Sequence, residues 1–105
     1  MAVVAATEAS NGRTLEVAVG DSIELELPEN RTTGYRWHVL AAGEPVCEKT
    51  TEQFVPGPSQ PGAPGLLHCE FQVKAGGVAR IQLASRRSWS SGDERSFTLD
   101  VSARA

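Results

Sequence analysis

The sequence predicts an all-β sandwich made of a single domain over residues 1–105, and three observations indicate it. Short stretches in which apolar and polar residues alternate recur at intervals of roughly 8 to 12 residues. Turn-forming residues such as Asn11-Gly12 and Ala75-Gly76-Gly77 separate these stretches. No segment shows a sustained helical period. Because alternation places apolar side chains on one face of each strand, about seven or eight strands can stack as two sheets around one core.

Composition and charge narrow the class of protein. The chain is 40% hydrophobic and 22% charged, which is typical of a soluble globular domain with a modest core. Its formal net charge of -3 provides no basic field for a phosphate backbone, so we expect no nucleic-acid partner. No stretch approaches the ~20 apolar residues of a membrane span, so we expect no membrane partner either. The expected state is a monomer.

The first six residues, Met-Ala-Val-Val-Ala-Ala, are apolar. They lack a basic leading region and are too short for the apolar region of a signal peptide, so they are assigned to the fold. The sequence leaves the localisation open. Without a signal peptide we expect the cytoplasm, unless a leader has been removed.

Turn signals organise the beginning of the chain. Asn11-Gly12 is typical of a type I′ hairpin turn, so the sequence predicts a hairpin that joins a strand near Val3 to one over residues 15–19. Gly20-Asp21 predicts the next turn.

Two alternating strands follow. The first has apolar residues at positions 23, 25 and 27 and is expected to end at Pro28. The second carries Tyr35, Trp37 and Val39, and core packing is the expected role of Trp37 because it lies on the apolar side. Residues 46–55 mix apolar and charged types and form either one strand or two short ones.

Residues 56–65 contain four prolines and three glycines, a composition that continues neither a ladder nor a helix. Strict alternation resumes after them, so this long loop lies inside the domain. Three strands are predicted in the second half of the chain, with their apolar residues at positions 67–73, 79–83 and 97–101.

Three connections are long and irregular: residues 30–34, 56–65 and 86–92. If consecutive strands run up and down, these loops can share one end of the sandwich. A rigid scaffold that presents several loops is suited to recognition, because it reduces the cost of ordering them. Trp89 lies among serines in a polar loop, and tryptophan is enriched among residues that dominate binding energy.

Three segments resemble the loop motifs of the chagasin family of cysteine-peptidase inhibitors, in the same order and spacing. The resemblance covers nearly the whole chain. It implies an immunoglobulin-like β-sandwich with three binding loops at one end, and a reversible, noncovalent inhibitor of papain-like cysteine peptidases without a cofactor. The segments are Asn30-Arg31-Thr32-Thr33-Gly34-Tyr35-Arg36-Trp37, Gly62-Ala63-Pro64-Gly65 and Arg87-Ser88-Trp89.

The resemblance also implies a role for each loop. Residues 30–35 would enter the catalytic centre, with Thr32 and Thr33 against the nucleophilic cysteine. Residues 62–65 would run along the non-primed side of the cleft, and Trp89 with Arg87 would pack on the primed side within the loop 86–92. The implied inhibitory residues are Asn30, Arg31, Thr32, Thr33, Gly34, Tyr35, Gly62, Ala63, Pro64, Gly65, Arg87, Ser88 and Trp89.

The chain departs from the family pattern at three of these positions. Arg31 stands where proline is usual, so the loop loses a fixed φ and gains a charge. Pro64 stands where glycine is usual. Ser88 stands where a proline normally separates arginine from tryptophan.

The sequence leaves two other functions as alternatives. An enzyme would need a base held close to a cysteine or serine nucleophile, and no acidic partner completes an evident site. A noncatalytic immunoglobulin-like module with diverged loops, which binds a protein without inhibiting a peptidase, is the other alternative, since a fold does not fix a function.

Four residues, Cys47, Cys69, His38 and His68, could be imagined as zinc ligands. None of them form a close pair of the usual ligand spacing, so we expect no metal site. The cysteine spacing allows either one disulfide or two free buried thiols. Free thiols are the favoured interpretation.

Overall fold

The computed structural model describes residues 2–30, 34–57, 65–86 and 95–105. Within these ranges the chain forms eight strands and one short 3-10 helix. The strands are β1 (Val3–Thr7), β2 (Thr14–Ala18), β3 (Ser22–Glu29), β4 (Arg36–Ala42), β5 (Cys47–Val55), β6 (Gly65–Val73), β7 (Gly77–Arg86) and β8 (Arg95–Arg104), and the 3-10 helix is Glu8–Ser10. In this part of the chain, no helix has both the length and the apolar character to cross a membrane.

The strands form two four-stranded sheets, which confirms the predicted sandwich. Sheet A has the order β1-β3-β6-β5, and sheet B has the order β2-β8-β7-β4. Pairing is antiparallel except at one edge of each sheet, where β1 runs parallel to β3 and β2 parallel to β8. The N-terminal segment therefore supplies one edge strand to each sheet.

The core lies between the sheets and follows the alternation of the sequence. Trp37 belongs to it, as predicted, and is 7% exposed. The largest fully buried side chains of the core are those of Ile23, Leu25, Leu27, Phe71, Ile81, Leu83, Phe97 and Leu99.

The predicted hairpin at Asn11-Gly12 is wrong. The strands on either side lie in different sheets, and Asn11 has a φ of -57°, whereas a type I′ turn needs a positive φ at both central residues. Gly12 alone has a positive φ, 79°. The Asn11 side chain instead pairs with β8, because its Oδ1 accepts from the Thr98 N–H at 2.9 Å and its Nδ2 donates to the Ser96 carbonyl at 3.3 Å.

Within residues 46–55, Cys47–Val55 form one strand, β5, with a bulge between Lys49 and Thr51. A second bulge interrupts β4 between Val39 and Ala41. Both strands lie at sheet edges, where bulges hinder pairing with another chain. The strand expected to end at Pro28 continues to Glu29. Pro28 is tolerated because β1 pairs only as far as Glu26, so β3 is an edge strand at that point.

The two ends of the sandwich differ. The end that we call the turn end carries the tight connections 19–21, 43–46 and 74–76, together with the beginning of β1 and the end of β8. Asp21 stabilises this end, since its carboxylate accepts the N–H groups of Ala2 and Ala18, each at 2.9 Å. These backbone hydrogen bonds hold the pKa of Asp21 below its usual value.

Both cysteines are free and buried, as favoured from the sequence. Cys47 lies opposite Val73, which is four residues beyond Cys69 on the neighbouring strand, or roughly 13 Å away. A disulfide cannot span that distance. His38 lies on the outer face of sheet B and His68 on the outer face of sheet A, so the four imagined zinc ligands do not converge.

We predict that these thiols react slowly in the folded protein. Burial raises the pKa of Cys69 from 9.0 to about 11, so its thiolate fraction at pH 8 falls roughly a hundredfold, and the thiolate is the reactive form. Labelling with a disulfide reagent at pH 8 should be at least that much slower in the native protein than in guanidinium, where two thiols should react. Because the unfolded chain deprotonates first, Cys69 should also lower the free energy of unfolding between pH 9 and 11. Fast native labelling of both thiols would contradict the packing.

Candidate functional site

The strand register brings the bases of all three predicted loops to one end of the sandwich. On sheet A, Glu29 at the end of β3 pairs with Gly65 at the start of β6. On sheet B, Arg36 at the start of β4 pairs with Arg86 at the end of β7, and Arg95 at the start of β8 pairs with Ser85. We call this the loop end.

The three loop bases connect different strands. Residues 30–35 connect β3 in sheet A to β4 in sheet B, so the two ends of this segment belong to different sheets, and we call it the crossing segment. Residues 56–64 join the neighbouring strands β5 and β6 of sheet A, and residues 87–94 join β7 and β8 of sheet B. The crossing segment therefore has its base between one hairpin connection from each sheet.

Two hydrogen bonds close the base of the crossing segment. The Trp37 backbone N–H donates to Glu29 Oε1 at 2.7 Å, and the Trp37 indole Nε1–H donates to the Pro28 carbonyl at 2.9 Å. The Glu29 side chain is buried, with the residue 2% exposed, and a buried N–H that loses its acceptor is costly in free energy. Both bonds join sheet B to sheet A, so they fix where the segment leaves and rejoins the scaffold.

Two glycines next to the loops have steric roles. Gly34 has a φ of 86°, a conformation that strains other residues. Gly65 is packed so closely that a Cβ would lie 2.5 Å from the Phe54 ring and 2.5 Å from the Val55 carbonyl oxygen. The family resemblance implies that residues 62–65 run along the non-primed side of a peptidase cleft. At Gly65, the close approach is to the neighbouring strand of the same chain.

Asn11 and Arg95 hold the base of the third loop. Asn11 bonds to the backbone of β8 at Ser96 and Thr98, and Arg95 Nη2 lies 3.4 Å from Glu8 Oε2. The connection between β1 and β2 thus supports the strand that emerges from residues 87–94.

Four of the predicted inhibitory residues lie within the described ranges. Asn30, Gly34 and Tyr35 lie at the base of the crossing segment, and Gly65 is the first residue of β6 rather than part of a loop. Arg86, assigned to the third loop from the sequence, is the last residue of β7. The remaining predicted residues lie outside the described ranges: Arg31, Thr32, Thr33, Gly62, Ala63, Pro64, Arg87, Ser88 and Trp89.

Neither the buried Glu29 nor the supporting role of Asn11 was predicted from the sequence. Glu24 and Glu26 are on the outward phase of β3, whereas Glu29 is on the inward phase, one residue beyond the proline at which the strand was expected to end. One signal could have identified it: in the alternation of Ile23, Leu25 and Leu27, position 29 is the next inward-facing position, so its side chain had to be buried.

Cys47 and Cys69 face the core, while His38 and His68 face outward on opposite sheets. Neither thiol therefore lies beside a histidine. No group of three or more His, Cys, Asp and Glu side chains in these ranges could hold a metal ion.

Comparisons with known proteins agree with this geometry. The family model described as chagasin family peptidase inhibitor I42 matches residues 16–101. Chagasin from Trypanosoma cruzi is 36% identical over 92% of this chain and 94% of its own length. Amoebiasin-1 from Entamoeba histolytica is 34% identical over 90% and 94%. The crystal structure of a cysteine protease inhibitor from Entamoeba histolytica, 28% identical, superposes with a TM-score of 0.85 over 99% of this chain and 97% of its own.

We predict that Glu29→Ala destabilises the protein by about 2 kcal/mol, because the buried Trp37 N–H loses its acceptor. Glu29→Gln should lose clearly less, since the amide oxygen can accept the same bond. Urea unfolding of the three proteins measures the difference. Equal losses in the two variants would show that the bond to Trp37 does not hold the base of the crossing segment.

Proposed function

Since the chain belongs to the chagasin family of peptidase inhibitors, we propose that it is a reversible, noncovalent inhibitor of papain-like cysteine peptidases. The observation that carries the proposal is the loop end, where the base of a segment that crosses between the sheets lies between the bases of two hairpin connections. This arrangement suits a wedge with a central loop and two flanking loops. The family relationship favours inhibition over a noncatalytic module with diverged loops.

In the proposed mechanism, residues 30–35 enter the catalytic centre, and Thr32 and Thr33 lie against the nucleophilic cysteine. Residues 62–65 occupy the non-primed side of the cleft, and Trp89 with Arg87 packs on the primed side. No bond to the peptidase forms. Inhibition results from occlusion of the cleft, so it is competitive with substrate and reversed by dilution.

The base of the crossing segment supports tight binding. Binding requires ordering of loops and side chains, and each ordered group costs free energy. The bonds from Trp37 to Glu29 and Pro28 fix the two ends of the segment before the peptidase arrives. Part of the ordering cost is therefore met during folding.

The direct test is titration of a panel of papain-like peptidases with the purified protein. We expect stoichiometric or nanomolar inhibition of at least one of them, recovery of activity after dilution, and an inhibitor that remains intact on a denaturing gel. Lack of inhibition across the panel would favour the noncatalytic binding module.

Trp89→Ala should raise the inhibition constant about 30-fold or more, because interface tryptophans commonly contribute 2 kcal/mol or more. The melting temperature should stay nearly unchanged. Val78→Ala is the matched control, since Val78 is an exposed apolar residue, 82% exposed, near the turn end. If the Trp89 variant inhibits as well as the control, Trp89 is not part of the interface.

Thr33→Arg should weaken inhibition at least tenfold, because it adds bulk and a charge to the loop proposed to fill the catalytic centre. Thr51→Arg, the same change on the exposed part of β5, should leave the inhibition constant unchanged. Progress curves with a fluorogenic substrate measure both. An unchanged constant for Thr33→Arg would exclude the crossing segment from the mechanism.

A further inference from the structure

Three apolar residues form a row across the outer face of sheet A at the loop end. Leu66 in β6 is the strand partner of both Pro28 in β3 and Val55 in β5. The residues on either side of Leu66 in its strand are buried, so alternation directs Leu66 outward. Cβ atoms of directly opposite residues lie roughly 5 Å apart, so the three side chains are neighbours. We call Pro28, Leu66 and Val55 the apolar row.

The apolar row is open to solvent. Leu66 is 41% exposed and Val55 is 46% exposed, and Pro28 is half-buried. An apolar side chain that is exposed singly is ordinary on a soluble protein, and valine favours a strand by itself. Here two exposed apolar side chains are adjacent and a third borders them, so together they present one continuous apolar surface.

The rest of this sheet face is polar. Beyond the apolar row, towards the turn end, the outward positions of β3, β6 and β5 form three further rows, and every residue in them is polar or charged. The apolar row is therefore not a continuation of the pattern of the face. It occurs only where the face meets the loops. The three polar rows are Glu26, His68 and Gln53; Glu24, Glu70 and Thr51; and Ser22, Gln72 and Glu48.

The apolar row also borders one particular loop on both sides. Val55 is the last residue of β5 and Leu66 is the second residue of β6, so residues 56–64 leave and rejoin sheet A at the row. In the proposed mechanism, residues 62–65 occupy the non-primed side of the cleft. The lip of the cleft that accepts this loop would lie next to the outer face of sheet A, and it would meet the apolar row before any polar row.

We infer that the apolar row packs against apolar side chains on the non-primed lip of the target peptidase's cleft. This inference rests on the proposed function, and it identifies the preferred targets as peptidases whose lip is apolar at that position. Such contact is favourable because it removes two apolar surfaces from water. A polar lip would lose hydration against the row without gaining hydrogen bonds, so the same contact discriminates against it.

The chemistry of the row predicts which step of binding it affects. Apolar contact acts only at short range, so it does not steer the approach of the partner as charges do. It should therefore act mainly on the dissociation rate. Because no charge takes part, the effect should not depend on salt.

The test compares the wild type with the double variant Val55→Thr/Leu66→Thr, since threonine keeps the strand propensity and adds a hydroxyl. Val3→Thr is the matched control, because Val3 lies on the same sheet face at the turn end, opposite Ser22, and is 65% exposed. Val55→Ile/Leu66→Ile keeps the row apolar. Inhibition constants and dissociation rates are measured with two inhibited peptidases, one with apolar and one with polar side chains on the non-primed lip.

With the apolar-lip peptidase, the threonine double variant should have an inhibition constant about tenfold higher, mainly through faster dissociation. The isoleucine double variant and Val3→Thr should inhibit as the wild type does. The polar-lip peptidase should not distinguish the four proteins.

A second measurement needs no substitution. In the complex of the wild type with the apolar-lip peptidase, saturation of the peptidase's protons should transfer to the methyl groups of Leu66 and Val55 and not to those of Val3. Transfer confined to residues other than Leu66 and Val55 would overturn the inference.

The possible failures are distinguishable. If the wild type inhibits no peptidase, the proposed function fails and this inference fails with it. If the wild type inhibits but the threonine double variant inhibits equally well, or loses equally against both peptidases, the inference is overturned and the proposed function stands. A wild type that sediments as a dimer, with a monomeric threonine double variant of unchanged inhibition, would assign the row to a second copy of the chain and likewise overturn the inference.

Discussion

The base of the crossing segment depends on Trp37. Its indole ring packs in the core as part of sheet B, yet both of its N–H groups donate to β3 of sheet A, one to the Pro28 carbonyl and one to the Glu29 carboxylate. The ring is therefore held in place by the core, and it holds the loop base in place through its hydrogen bonds. The geometry of the loop end is consequently linked to the cooperativity of the whole domain, because the segment cannot detach at its base without exposing core surface.

Inward and outward positions of the strands carry different kinds of side chain. Inward positions of the inner strands are apolar except near the loop end, where Glu29 and Ser85 are buried, whereas outward positions vary along the strands. On sheet B the outward side chains change from the ion pair of Arg80 with Asp100 to the facing arginines at the loop end.

Local patterns predicted the strands well because alternation is a local consequence of a half-buried sheet. They failed where pairing partners are distant in sequence. Asn11-Gly12 has the composition of a hairpin turn. However, Val3 pairs with Ser22 and Thr14 pairs with Asp100, so the two strands on either side of Asn11-Gly12 belong to different sheets. The opposition of Arg36 and Arg86 and the tight packing of Gly65 against Phe54 likewise depend on register between non-adjacent segments. The loop motifs themselves were recognised only by resemblance, since polar loops have no periodicity.

The location of residues 2 and 105 at the turn end determines how the domain can be linked to another molecule. Residues 2 and 105 both lie there, near Asp21 and Gly76 respectively, at the far side of the molecule from the loop bases. A fused partner, a surface attachment or a second copy joined at either position would project away from the loops. Two copies tethered in this way could engage two clefts at once, and the gain in avidity would be set by the tether rather than by the fold.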